Sequence, residues 1–140
     1  MNANAALVRR HLRIGWWTLL LFMTLGVALE AMHGFKLELY LSVENETRRL
    51  MWRLAHAHGG LIALVHVAYA ATLATRAKDQ DTSWCRPAGN LLIVSQILLP
   101  GGFLLGGLVV YGGDPWLGVG LVPVGALVFL IGVFRIARRL

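Results

Sequence analysis

Four apolar blocks, over roughly 14–34, 47–75, 87–111 and 116–139, alternate with short polar stretches along the chain. A helix rising 1.5 Å per residue needs about 20 apolar residues to cross a bilayer core, and each block is long enough. The pattern predicts an all-α, integral membrane four-helix bundle built as a single domain over 1–140. The stretch before the first block carries Arg9, Arg10, His11 and Arg13, like the charged start of a signal sequence. The apolar run that follows exceeds the roughly 7–15 residues of a signal h-region, so a retained span is expected. Residues 35–47 are mixed, and their K-L-E-L-Y-L alternation is expected to form an interfacial turn or short helix. Residues 76–86 are the most polar and are expected to be a loop. Pro87 suits the first turn of the third span, and Pro100 predicts a kink within it. Gly112-Gly113-Asp114-Pro115 predicts a tight turn.

Composition agrees. The chain is 57% hydrophobic and only 14% charged, against about 25% charged in soluble domains. The formal net charge is +6, but the basic residues flank apolar blocks. That is the distribution of membrane anchors, not of a nucleic-acid surface. Arg9, Arg10, Arg13, Arg76, Lys78, Arg86, Arg135, Arg138 and Arg139 fall on one side of a four-span topology; only Lys36, Arg48, Arg49 and Arg53 fall on the other. The positive-inside rule then puts both termini in the cytoplasm, with a bacterial inner membrane as the expected location. Trp16, Trp17, Trp52, Trp84 and Trp116 lie near the predicted interfaces, as an aromatic belt would. The single cysteine, Cys85, excludes an intrachain disulfide and a thiolate metal cluster.

Ionisable groups inside a membrane are costly and are functional candidates by default. The second block holds His56, His58 and His66, and the first ends with Glu30 and His33. Alternating spans bring Glu30, His33, His56 and His58 to the outer half of the bilayer. Glu30 and His33, three residues apart, share a helix face; a carboxylate and an imidazole so placed are either metal ligands or a hydrogen-bonded pair. At ~100° per residue His56 and His58 point about 200° apart. His56 shares its face with Gly59, Ala63, His66 and Ala70, whose small side chains predict tight packing into the bundle. His58 lies with Leu54, Ile62, Val65 and Tyr69 and must meet another helix, a second subunit or its own cofactor. His66, about 15 Å deeper than His56, is expected to be buried and bonded to Gln96 or a serine. Arg53, one turn from His56, could pair with a haem propionate, as could Arg48 and Arg49; the alternative is pairing with Glu44, Glu46 and lipid phosphates. Asp114 is expected to be a turn residue, with Tyr111 and Asp114 as orienting partners of an imidazole the alternative. Gly118, Gly125 and Gly132 recur every seven residues and predict close helix packing.

The A-H-A-H at 55–58 resembles the A-H-x-H helix of haem–copper oxidase catalytic subunits, in which the two histidines face opposite ways and each ligates a different haem. The chain has no His-Pro-Glu-Val-Tyr copper motif and no twelve-helix length. As a whole it resembles small four-helix bacterial membrane proteins. The resulting expectation is a membrane protein that binds haem b, or a copper or zinc ion, through Glu30, His33, His56 and His58, with Arg53 beside a haem. Its use would be electron transfer or redox chemistry with a periplasmic or membrane partner, as a homo-oligomer. Two other readings stand beside it. One is an intramembrane metal hydrolase with Glu30 as base; the other is a cofactor-free accessory subunit.

Overall fold

The computed structural model describes residues 3–76 and 83–140 of the chain. Helix α1 spans Ala3–Gly34, a short α2 spans Glu38–Leu41, and a 3₁₀ turn over Val43–Asn45 leads into α3, Glu46–Thr75. Helix α4 spans Cys85–Leu108, strands β1 (Val110–Tyr111) and β2 (Asp114–Pro115) follow, and a second 3₁₀ turn precedes α5, Leu121–Ala137. Four of these helical segments are long and apolar enough to cross a membrane: Ala5–Gly34, Val43–Thr75, Cys85–Leu108 and Leu117–Ala137. The chain is therefore an all-α membrane bundle. Its long helices pack in chain order, α1 on α3, α3 on α4 and α4 on α5. Of the expected 76–86 loop, residues 77–82, Lys78 among them, lie outside the described residues.

The connections follow local chemistry. The Lys36 and Leu37 amides donate to the His33 and Met32 carbonyls at the end of α1, with Lys36 in the left-handed region at φ 54°. This closes orphaned helix carbonyls with a Schellman-type motif. The expected turn at 112–115 is the tip of a hairpin: Tyr111 pairs with Asp114 across Gly112 and Gly113, at φ +60° and +89°. Two consecutive positive φ values are the primed turn that glycine permits. Asp114 is thus a turn residue, and Tyr111 is exposed rather than aimed at an imidazole. Helix α4 continues through the buried Pro100. The fourth span starts its α-helix at Leu121, later than 116, because the stretch after Pro115 is first a 3₁₀ turn.

Small residues set the spacing of the bundle. Gly118, Gly125 and Gly132 all face α4. A Cβ on Gly125 would lie 2.6 Å from the Leu99 amide nitrogen, and one on Gly132 would lie 3.2 Å from Leu91 Cβ. Between α1 and α3, a Cβ on Gly15 would lie 2.9 Å from the Ala63 carbonyl oxygen. Gly26 leaves room for the His56 ring, and Gly59 for the Phe22 ring. Close backbone approach of this kind drives helix association in lipid, where no hydrophobic effect separates helix from solvent. The outward faces of α1 and α5, including Trp17, Leu21, Val27, Leu127 and Phe134, are exposed, as a lipid-facing surface requires.

The seam between α4 and α5 is testable. Gly125→Val pushes a branched side chain into the α4 backbone and should cost about 1–3 kcal/mol as overpacking. Gly120→Ala meets nothing within 4 Å and should leave the melting temperature in detergent within error of the parent.

Candidate functional site

The α1–α3 seam carries a run of imidazole contacts that descends from the outer end of the bundle to its basic end. His56 Nδ1 lies 2.6 Å from the Phe22 carbonyl oxygen on α1. A carbonyl only accepts, so Nδ1 carries the proton and Nε2 holds a lone pair. His58 is arranged alike, with Nδ1 2.8 Å from the Leu54 carbonyl of its own helix. Its ring packs on Phe103 of α4 at 5.0 Å between centroids. The two histidines therefore face different neighbours, His56 toward α1 and His58 toward α4, as their angular separation predicts. His58 meets a helix of its own chain, which removes the reason for expecting a second subunit to cover it.

His33 and Glu30 are exposed at the outer end of α1. His33 sits edge-on to Tyr40, with centroids 6.5 Å apart. Gly26, against which the His56 ring lies, is two helical turns from His33, about 10 Å along the axis. That offset is why the expected ligands do not converge. Among the described residues no group of three or more His, Cys, Asp or Glu side chains is arranged to hold a metal ion. Arg53 is exposed and makes no side-chain hydrogen bond to the described residues. Arg48 and Arg49 serve the backbone instead. Arg48 donates to the Leu39 and Gly107 carbonyls at 3.1 Å, and Arg49 to those of Tyr40 and Ser42 at 2.9 Å. The Leu39, Tyr40 and Gly107 carbonyls are at helix ends that lack further intrahelical donors, while the Ser42 carbonyl also accepts from the Asn45 amide.

The feature not anticipated from the sequence is a pair of buried histidines. His11 and His66 are both fully buried. Their Nδ1 atoms are 2.8 Å apart, and their rings stack at 5.0 Å with an interplanar angle of 27°. Tyr69 packs edge-on to His11 at 4.9 Å and donates its hydroxyl proton to the Cys85 carbonyl. His66 is buried as expected, but its partner is His11 and not Gln96 or a serine: Gln96 donates to the Gly59 carbonyl and Ser95 to that of Leu92. Pairing with His11 also sets its depth. It lies level with Arg10, which reaches Asn90 on α4, and so near the basic end of the bundle. His11 stands in a run of arginines that reads as an interfacial anchor, and single-chain periodicity carries no signal for a partner 55 positions away.

A hydrogen bond between two Nδ1 atoms has one donor and one acceptor. The donor ring keeps a bare Nε2; the acceptor ring keeps Nε2–H. Both Nε2 atoms are buried without a hydrogen-bond partner among the described residues, as is Gln96 Oε1. Neither His56 Nε2 nor His58 Nε2 is sealed in this way.

Comparison with protein-family models, with curated proteins and with solved structures finds no match.

Replacing one histidine of the pair should strand the other. His66→Leu should destabilise the bundle by about 1–3 kcal/mol, the desolvation cost of an unpaired buried group. His11→Leu combined with His66→Leu should cost less than the sum of the two single changes. Thermal unfolding in detergent across the four variants measures that coupling.

Proposed function

We propose that this chain is a haem-binding redox protein of the bacterial inner membrane, with the cofactor held in the outer half of the bilayer by His56 or His58. The observation that carries the reading is the protonation of those rings. Each spends Nδ1–H on a backbone carbonyl and leaves an unsealed lone pair on Nε2. That is the tautomer and the anchoring that a metal-ligating histidine needs. Haem suits the residues better than a mononuclear copper or zinc ion. A porphyrin supplies four donors of its own and asks the protein for one or two axial ligands. A bare ion, or the rival hydrolase, needs three or more converging side chains. Arg53, one turn toward the outer end from His56, would receive a propionate.

His58 meets α4 of its own chain, so haem binding does not itself require a homo-oligomer. Electrons would pass to a periplasmic or membrane partner.

A second reading, a cofactor-free accessory subunit, draws support from the same hydrogen bonds, since four of the five imidazoles have a partner inside the chain. Metal analysis separates the two. Detergent-purified protein should contain iron near one equivalent per chain, with a haem absorption spectrum that His56→Ala or His58→Ala abolishes. Iron-free protein after gentle purification, or a spectrum indifferent to both substitutions, would leave the accessory role standing.

A further inference from the structure

Where α1 and α4 meet at the basic end, a polar bridge sits at the head of two apolar stripes. We propose that this crevice binds one anionic phospholipid, with the phosphate held by Arg10, Arg86 and Asn90 and the acyl chains laid along Ile14, Trp17, Val94 and Ile97. The inference does not depend on haem binding.

Local packing brings the two helices together. Leu7 of α1 shares one core cluster with Ala88 and Leu92 of α4. The His11 ring lies against Gly89, where any Cβ would collide with it. Arg10, beside His11, is thereby carried to the rim of α4, where Nη1 donates to Asn90 Oδ1 at 3.3 Å. Both helices run from the basic end toward the outer end, because α3 returns the chain between them. From the bridge each continues with an apolar stripe of the same spacing. On α1, Arg10 is followed by Ile14 and Trp17; on α4, Asn90 is followed by Val94 and Ile97. Positions i, i+4 and i+7 share a helix face. Since Arg10 and Asn90 touch, the two stripes flank one crevice. Trp17, Val94 and Ile97 are exposed, and Ile14 is half-buried. Each stripe extends about 10 Å from the bridge into the hydrocarbon.

The head of the crevice is built of donors. Arg10 spends one of its guanidinium N–H groups on Asn90 and keeps the others. That bond takes up Asn90 Oδ1 and leaves Nδ2 with no partner among the described residues. Arg86 lies one turn from Asn90 on the same face of α4, nearer the membrane surface. It is exposed and makes no side-chain hydrogen bond to the described residues. Guanidinium forks match phosphate oxygens, and the Asn90 amide adds a neutral donor. Charge then selects the ligand. By sequence, nine of the 13 basic residues belong to this end, against two of the seven acidic ones, Asp79 and Asp81, which lie outside the described residues. An anionic lipid gains from that field, whereas a zwitterionic one brings a cation of its own. A second copy of the chain, inserted with the same orientation, would set two cationic ends side by side, and like charges oppose that pairing.

The test is native mass spectrometry of the full chain in detergent, titrated with phosphatidylglycerol and, separately, with phosphatidylcholine. One phosphatidylglycerol should stay bound per chain once the detergent is stripped, at concentrations where phosphatidylcholine is lost. A basic side chain near the membrane surface strengthens binding of an anionic lipid about fivefold, so Arg10→Gln and Arg86→Gln should each weaken it by about that factor and the double variant by about twentyfold. Arg138→Gln removes a charge from the same end, at the close of α5, and should leave binding unchanged. His58→Ala should leave it unchanged too, which keeps the outcome separate from that of the haem reading. Variants are compared where circular dichroism and elution match the parent. Arg86→Gln, which breaks no hydrogen bond to the described residues, carries the test alone if Arg10→Gln does not fold. Equal retention of the two lipids, an equal loss in Arg138→Gln, or a lipid-free dimer in place of the lipid-bound monomer would overturn the proposal.

Discussion

The close approach of α1 to α3 is the constraint from which the rest of the arrangement follows. In hydrocarbon, helices gain nothing by hiding apolar surface from lipid, so they are held by shape and by hydrogen bonds. Gly15, Gly26, Gly59 and Ala63 supply the shape. Their missing side chains let Phe22 and His56 enter the opposite helix surface and fix the register to within a turn. Once His56 bonds the Phe22 carbonyl, antiparallel helices bring His11 to within about one residue of the level of His66. The imidazole bond then supplies the polar half of the contact, worth more here than at a wet surface because neither group has water to return to. Register and chemistry are one decision in this seam: a slip by one turn would part the histidines and drive two rings into backbone.

The spans were legible in the sequence because they depend on local hydropathy alone, and the hairpin tip because Gly-Gly-Asp-Pro restricts its own backbone. The small face of α3 and the glycine repeat of α5 were also legible, since a helix presents a fixed angle per residue whatever packs against it. The partners across those faces were not. His11 sits among arginines and resembles an anchor; only the α1–α3 register reveals that it turns inward. His66 was recognisable as buried, yet its partner lies on a helix whose offset no local pattern encodes. The same offset separates His33 from His56: both are outer-half histidines by topology, but sharing a half-bilayer is a far weaker condition than sharing a coordination sphere.

The two ends of the bundle solve different problems. At the outer end, chain reversals leave carbonyls of α2 and α4 without helical donors. Arg48 and Arg49 reach across to them, tying both loops to the start of α3. Basic residues on the side that topology rules expect to be poor in them are thereby accounted for, since they act as hydrogen-bond donors to backbone and not as charges facing a lipid surface. At the basic end, the arginines of α1 and α5 remain largely exposed and suit the headgroup region, while the pair of histidines is enclosed beneath them.

Burial divides the imidazoles by what they can bind. The Nε2 atoms of His56 and His58 are not enclosed, although the His56 ring lies against Gly26 and the His58 ring against Phe103. A nitrogen enclosed on all sides, as on His11 and His66, admits nothing larger than what already touches it. Enclosure also raises the cost of leaving such nitrogens idle. An apolar pair of similar shape would fill the seam without any unsatisfied atom, so packing alone does not call for two histidines there.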